Sequence, residues 1–125
     1  MTQLDNNKFL IIKSIKSFIL DLENLLITFP KKDIFTKDRI YNDSLEVLEL
    51  VYKANYETRI DYKKTYQIEA ITKINKLDFY LERAYKLHYI SEKQLLSIEK
   101  TIKDKKDIRK PQLGPRALAW NEFKK

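Results

Sequence analysis

Glycine does not occur in the first 110 residues of this chain, and the same stretch holds one proline, Pro30. Tight hairpins and bulges need residues that accept positive φ, and most chain reversals draw on Pro or Gly. A stretch of this length without them is confined to long helices joined by a few short turns. The other breakers, Pro111, Gly114 and Pro115, gather near the C-terminus, where regular structure is expected to end. A chain of 125 residues suits one core and is short for two, so a single domain is expected.

The apolar periodicity divides the chain into four helices. Ile11, Ile15, Phe18, Leu22, Leu25 and Phe29 recur every three or four residues, with Ile12, Ile19 and Leu26 beside them. That is the wide stripe of a bundle helix, running from about Asp5 to Thr28. Phe29-Pro30 stops it, because proline disfavours helical geometry in its predecessor and has no N–H. Thr36 is expected to cap a second helix whose apolar face is Ile40, Leu45, Leu48, Val51, Tyr52 and Ala54, ending near Asn55. After a loop over Asn55 to Asp61, a third helix from about Tyr62 to His88 presents Ile71, Ile74, Leu77, Leu81, Ala84 and Leu87. Ser91-Glu92-Lys93-Gln94 has the form of a capping box before Leu95, Ile98 and Ile102 of a fourth helix. So short a link between the last two helices makes them antiparallel. The expected architecture is all-α: an antiparallel up-down four-helix bundle over residues 1–110, then a basic tail over residues 111–125.

The chain has no cysteine, which rules out disulfides and thiolate metal sites. Its N-terminus lacks the charged-then-apolar pattern of a signal peptide, and Lys13 and Lys16 interrupt its most hydrophobic segment. A cytoplasmic protein without a membrane span is expected. The single histidine, His88, leaves no imidazole pair, and Tyr85 stands where a Glu-x-x-His di-metal motif needs glutamate. His88 is read as a residue of the last helical turn. One glycine cannot make a phosphate loop, and Glu46, Glu49, Glu69, Asp78 and Glu82 are spread among lysines as solvated or paired faces. Neither a catalytic site, a metal nor a cofactor is expected.

What remains is basic and aromatic. The 25 Lys and Arg outnumber 18 Asp and Glu, a net charge of +7 that suits an anionic partner such as nucleic acid, or simply a solvated basic surface. The excess is uneven: residues 103–125 carry 8 basic and 3 acidic side chains. Arg109, Lys110 and Arg116 in this segment are candidate nucleic-acid contacts, and Trp120 and Phe123 a candidate docking peptide for a partner. Lys73, Lys76, Arg83 and Lys86 on the third helix are candidates too, the last three sharing a face at spacings of seven and three. All eight tyrosines lie in or beside helices two and three, more than one small core can hold with satisfied hydroxyls, so some must face outward. Outward tyrosines suit a homo-oligomer contact or stacking on unpaired bases.

Four strings in order carry a resemblance: Phe29-Pro30-Lys31, then FTKDRI (35–40), LEVLELVYKAN (45–55) and YLERAYKLHYISEKQL (80–95). Over roughly residues 8–105 the chain resembles the accessory variability determinant (Avd) family of diversity-generating retroelements. The four-helix proteins encoded by 23S rRNA intervening sequences belong to the same broader group. The resemblance implies a bundle assembled into a homopentameric barrel. It also implies partnership with a reverse transcriptase and with the template RNA copied mutagenically, binding RNA or DNA without catalysis of its own. Carried across by position, it adds Arg39 at the start of helix two and Arg83 in helix three as basic site residues, with a structural bridge to a carboxylate as the alternative for Arg39. The C-terminus departs from the pattern: many relatives end in a G-x-x-x-G-G-W-like string, whereas KDIRKPQLGPRALAW has only Gly114 and a displaced Trp120.

Overall fold

The computed structural model of the chain describes the backbone of residues 3–105 and the side chains of residues 10–103. Four helices account for nearly all of it: α1 Gln3–Leu26, α2 Ile34–Tyr56, α3 Ile60–Lys86 and α4 Glu92–Lys105, with one 3-10 turn, Lys31–Asp33, before α2. No strand occurs among the described residues, in keeping with the expected all-α architecture. Helices α2 and α3 form the tightest hairpin. Thr36 meets Arg83, Asp43 meets Lys76, Glu46 meets Lys73 and Lys53 meets Tyr66, so that as the α2 number climbs the α3 number falls in step. Helix α1 packs on α2, with Lys16 over the Tyr52 ring, and α4 packs on α3. Along the α1–α4 seam, between Asp21 and Asn24 on one side and Gln94 and Ser97 on the other, an open cleft of about 490 Å³ remains.

The connections show how short turns suffice without glycine. Helix consumes most of the expected α2–α3 loop, leaving Glu57, Thr58 and Arg59. Glu57 closes α2 by donating its N–H to the Lys53 carbonyl at 3.0 Å and accepts the Arg59 N–H on its own carboxylate at 3.1 Å. Thr36 does not cap α2. Asp33 does, its Oδ1 accepting the Thr36 N–H at 3.3 Å, while Thr36 itself is fully buried. The Ser91 capping box forms as expected, with Ser91 Oγ accepting the Gln94 N–H at 3.1 Å and Gln94 Oε1 accepting the Ser91 N–H at 2.8 Å.

Helix α3 ends at Lys86, and Leu87 and His88 form its cap. His88 adopts φ 65°, the left-handed conformation that a Schellman ending requires, and Tyr89 and His88 donate to the carbonyls of Ala84 and Tyr85, both at 2.9 Å. Glycine is the residue this position favours. His88→Gly is expected to stabilise the fold by about 0.5–1 kcal/mol, because the side-chain clash in the left-handed region costs more than glycine's extra unfolded-state freedom. A rise in the urea midpoint at unchanged slope would show it.

The core follows the expected first stripe, where Ile11, Ile15, Phe18, Leu22 and Leu25 of α1 and Phe29 of the turn after it are all buried, and the stripe of α4, where Leu95, Ile98 and Ile102 are. Helix α3 contributes Ile74, Leu77, Leu81 and Ala84, but Leu87 is exposed because the chain has already left the helix there. In α2 the expected face is partly displaced. The buried line is Ile40, Asp43, Ser44, Val47, Leu50, Val51 and Ala54, and Leu45 is 39% exposed. Ile34, Tyr41, Leu45, Leu48 and Tyr52 form a second apolar stripe, turned outward on the α1 side, where Leu20 of α1 and Ile27 just after it are also exposed. Leu48 and Tyr52 are only half-buried in it.

Candidate nucleic-acid interface

Because α2 and α3 lie side by side, four of the expected basic residues share one groove: Arg39 from α2, and Lys73, Lys76 and Arg83 from α3. Lys76 and Arg83, seven residues apart, stand about 20° apart around the helix, whereas Lys86 is displaced by a further 60° or so and points to solvent. The expected row of Lys76, Arg83 and Lys86 is therefore a pair with an outlier.

Each cation that α3 contributes to the groove also meets a carboxylate. Lys73 Nζ lies 2.6 Å from Glu46 Oε2, and Lys76 Nζ lies 3.7 Å from Asp43 Oδ2. The hydrogen bond from Lys73 holds the Glu46 carboxyl below its ordinary range, and the reciprocal bond raises the Lys73 ammonium. Asp43 is 4% exposed and has Lys76 as its ion-pair partner, with the Lys73 charge also within reach, so Lys76→Ala would leave a buried carboxylate with only the more distant cation. Arg39 differs. Its guanidinium is exposed and lies 4.9 Å over the Phe35 ring, and among the described residues no carboxylate comes within ion-pair distance of it, so the expected alternative of a structural bridge is reduced to a longer-range attraction that helps to lower the Glu46 carboxyl. A nucleic-acid backbone entering this groove meets one open arginine and cations already engaged.

Arg83 belongs to a larger cluster that ties the two loops at one end of the bundle. Asp33 accepts hydrogen bonds from Tyr89 Oη at 2.8 Å and Thr36 Oγ1 at 3.0 Å, with Arg83 Nη1 at 3.6 Å and also bonded to the Thr36 hydroxyl. Tyr89 in turn packs its ring on Phe29, with centroids 5.3 Å apart, and its carbonyl accepts the Thr28 hydroxyl at 3.0 Å. The bond from Tyr89, then those from Thr36 and the charge of Arg83, hold the Asp33 carboxyl below its ordinary range. A carboxyl depressed in the folded state stabilises above its unfolded pKa, and that stability is lost as pH falls through the folded value. At the opposite end the Glu57 carboxyl is held down to about 2, chiefly by Arg59. Thermal stability is thus expected to decline from about pH 5 toward pH 2. Asp33→Asn and Glu57→Gln should flatten the decline in calorimetric scans across that range, and a decline identical to the wild type would remove these two groups as its source.

The tyrosines do not form one band. Tyr41, Tyr56, Tyr62 and Tyr85 are exposed, while Tyr52, Tyr66, Tyr80 and Tyr89 are half-buried. Asp78 and Glu82, expected to be dispersed, come together with Glu99 of α4: carboxylate oxygens of the three lie within 4.8 Å of one another, with Glu82 exposed. Arg109, Lys110, Arg116, Trp120 and Phe123 lie outside the described residues. No helix among the described residues is long and apolar enough to cross a membrane. Set against protein-family models, curated proteins and solved structures, the chain matches none of them.

Proposed function

We propose that the chain is a non-catalytic accessory protein that binds RNA or DNA through its basic surface. In this reading it acts as a homo-oligomer, expected to be a pentamer, beside a reverse transcriptase of the diversity-generating kind. The observation that carries the reading is where the four resembling strings fall in the fold. Phe29-Pro30-Lys31 is the α1–α2 turn, residues 35–40 open α2, residues 45–55 are its body, and residues 80–95 are the α3–α4 hairpin. They are the junctions and packing surfaces that define a bundle of this kind, and the net charge of +7 supplies attraction for a polyanion. The basic contacts proposed are Arg39, Lys86 and the cations of the α2–α3 groove, joined by Arg109, Lys110 and Arg116. Trp120 and Phe123 are proposed for docking the enzyme.

The outward stripe of α1 and α2 favours the assembly part of the reading, and is shared by the second reading, an oligomeric scaffold of the rRNA intervening-sequence type without a reverse transcriptase. Leu20, Ile27, Ile34, Tyr41 and Leu45 together expose on the order of several hundred Å² of apolar side chain, at the upper end of what monomers leave bare. The rim of Lys16, Lys37, Glu23 and Asp38 mixes both signs, so on a basic chain this face can meet a second copy without repulsion. Light scattering on the purified chain should give about five times the 15.1 kDa chain mass, and Ile27→Glu with Leu45→Glu should reduce it to one while leaving helical content intact. A wild-type monomer would remove the assembly. A reverse-transcriptase gene with paired template and variable repeats nearby separates the first reading from the second.

A further inference from the structure

We propose that the α2–α3 tip is a stacking site for an unpaired base of a single-stranded nucleic acid, with the Arg59 guanidinium and the Tyr62 ring as its platform and Tyr56 beside it. The proposal rests on the nucleic-acid reading above and names a place and mode that reading leaves open. Tyr56 is 81% exposed and Tyr62 50%, at a turn where small polar residues would satisfy the geometry equally well. Neither ring is needed by the core.

The platform is built from its neighbours. The Arg59 guanidinium lies 3.8 Å over the Tyr62 ring, while Glu57 grips it in its plane, accepting from Nε at 2.8 Å and from Nη2 at 3.2 Å. The Glu57 side chain is only 14% exposed, whereas that of Arg59 is 63% exposed. A guanidinium fixed on one face by a ring and along one edge by a carboxylate keeps its other face open and flat. Since Glu57 already neutralises its charge, that face suits a planar base better than a phosphate. Bases stack on tyrosine rings and on arginine planes alike, and pre-ordering the guanidinium lowers the entropy lost on binding.

The next turn of α3 continues the pattern. Tyr66, four residues from Tyr62 on the same face, carries Lys53 Nζ 5.9 Å from its ring centroid, and Lys53 is exposed. A cation thus follows the platform. Lys53 is paired with Glu49 at 3.5 Å, but both side chains are solvent-exposed, so unlike the Glu57-gripped Arg59 it can exchange that partner for the phosphate adjoining a stacked base. The α2–α3 groove with Lys73 and Lys76 continues from there. Alternating rings and cations are what a strand with unpaired bases requires, whereas a duplex hides its bases from such a platform.

The test is fluorescence anisotropy of the full chain with three labelled probes, a 12-mer of uridines, a 12-mer of thymidines and a 12-base-pair duplex, with Tyr62→Ala, Tyr56→Ala and Tyr62→Phe as variants. Tyr62→Ala should weaken binding to both single strands roughly 5- to 100-fold, leave the duplex within about twofold, and leave the salt slope unchanged. Tyr62→Phe should restore the affinity. Equal loss on duplex and single strands would mean that the tip acts through charge or structure, and would overturn the stacking site. Single-strand binding that persists undiminished in both alanine variants would overturn the tip and leave the nucleic-acid reading standing. Absence of binding by the wild-type chain to every probe at low salt would remove that reading and the tip with it. A preference between the uridine and thymidine probes would tell which strand chemistry the site favours. Both rings are exposed, so circular dichroism should show the alanine variants folded.

Discussion

Truncation of Leu77 to alanine is expected to lower the unfolding free energy by about 3–4 kcal/mol. Leu77 is fully buried at the middle of α3, in the same apolar cluster as Phe18, Leu22, Ile40, Val47 and Leu81. Its removal forfeits the transfer free energy of the lost methyls and leaves a cavity that helices held on several sides cannot close. Domains of this size hold about 5–15 kcal/mol in all, so the variant should melt roughly 11–18 °C lower. Lys86→Ala, one helix face away and exposed, should stay within about 0.5 kcal/mol. Urea denaturation followed by circular dichroism measures both, and a loss below about 1 kcal/mol at Leu77 would mean that α3 does not bury this face.

The affinity for single-stranded RNA is expected to fall on the order of 100-fold between 50 and 200 mM salt, if about five phosphates are neutralised at a slope near −0.7 each. The fall comes from counterions released when lysine and arginine meet phosphate. It is the signature that separates an electrostatic binder from one that relies on shape or apolar contact. The engaged state of the groove lysines shapes this number. Lys73 and Lys76 must exchange Glu46 and Asp43 for phosphate, so their gain is smaller than that of an open cation such as Arg39. Much of the slope should therefore arise near the C-terminus, where residues 103–125 carry 8 basic and 3 acidic side chains. Deleting residues 111–125 should reduce the slope by about one to two while leaving helicity and melting nearly unchanged. Binding that does not change with salt would exclude the proposed function, and a truncated chain that unfolds would place part of the core in the deleted segment.

How far the sequence foretold the fold differs helix by helix, for physical reasons. Helices α1 and α4 were legible because each carries a single apolar stripe bounded by an unambiguous signal, Pro30 for one and the Ser91 capping box for the other. Helix α2 was not, because its two apolar stripes overlap in the one-dimensional pattern: Leu45 belongs to the outward stripe and Val47 to the core, and only packing against α1 and α3 sorts them. The start of α2 was ambiguous for a related reason. Asp33 and Thr36 are both good caps, and the 3-10 turn that brings Asp33 into place has no strong signature. In the groove the basic residues were visible as residue types and their partners were not, since Arg83 meets Thr36 across 47 positions and Tyr89 meets Asp33 across 56. The Arg59–Tyr62 platform was within reach: Glu57, Arg59 and Tyr62 lie close in sequence, but the reading split them, placing Glu57 and Arg59 in a loop without structure and Tyr62 at the start of helix three.

The clasp of Thr28, Phe29, Asp33, Thr36, Arg83 and Tyr89 gives the bundle a direction. It fastens the α1–α2 and α3–α4 connections to each other at one end, so α4 enters the fold from an anchored point, its first turn closed by Ser91 and Gln94. Along the rest of its 14 residues α4 leans on α3 and leaves a cleft toward α1. Local opening is therefore expected to be hinged like a book, with α4 swinging away from the α1 edge about a spine at the clasp while the α2–α3 hairpin stays shut. The amides of α4 nearest Lys105 lie farthest from that spine, and hydrogen exchange is expected to be fastest there.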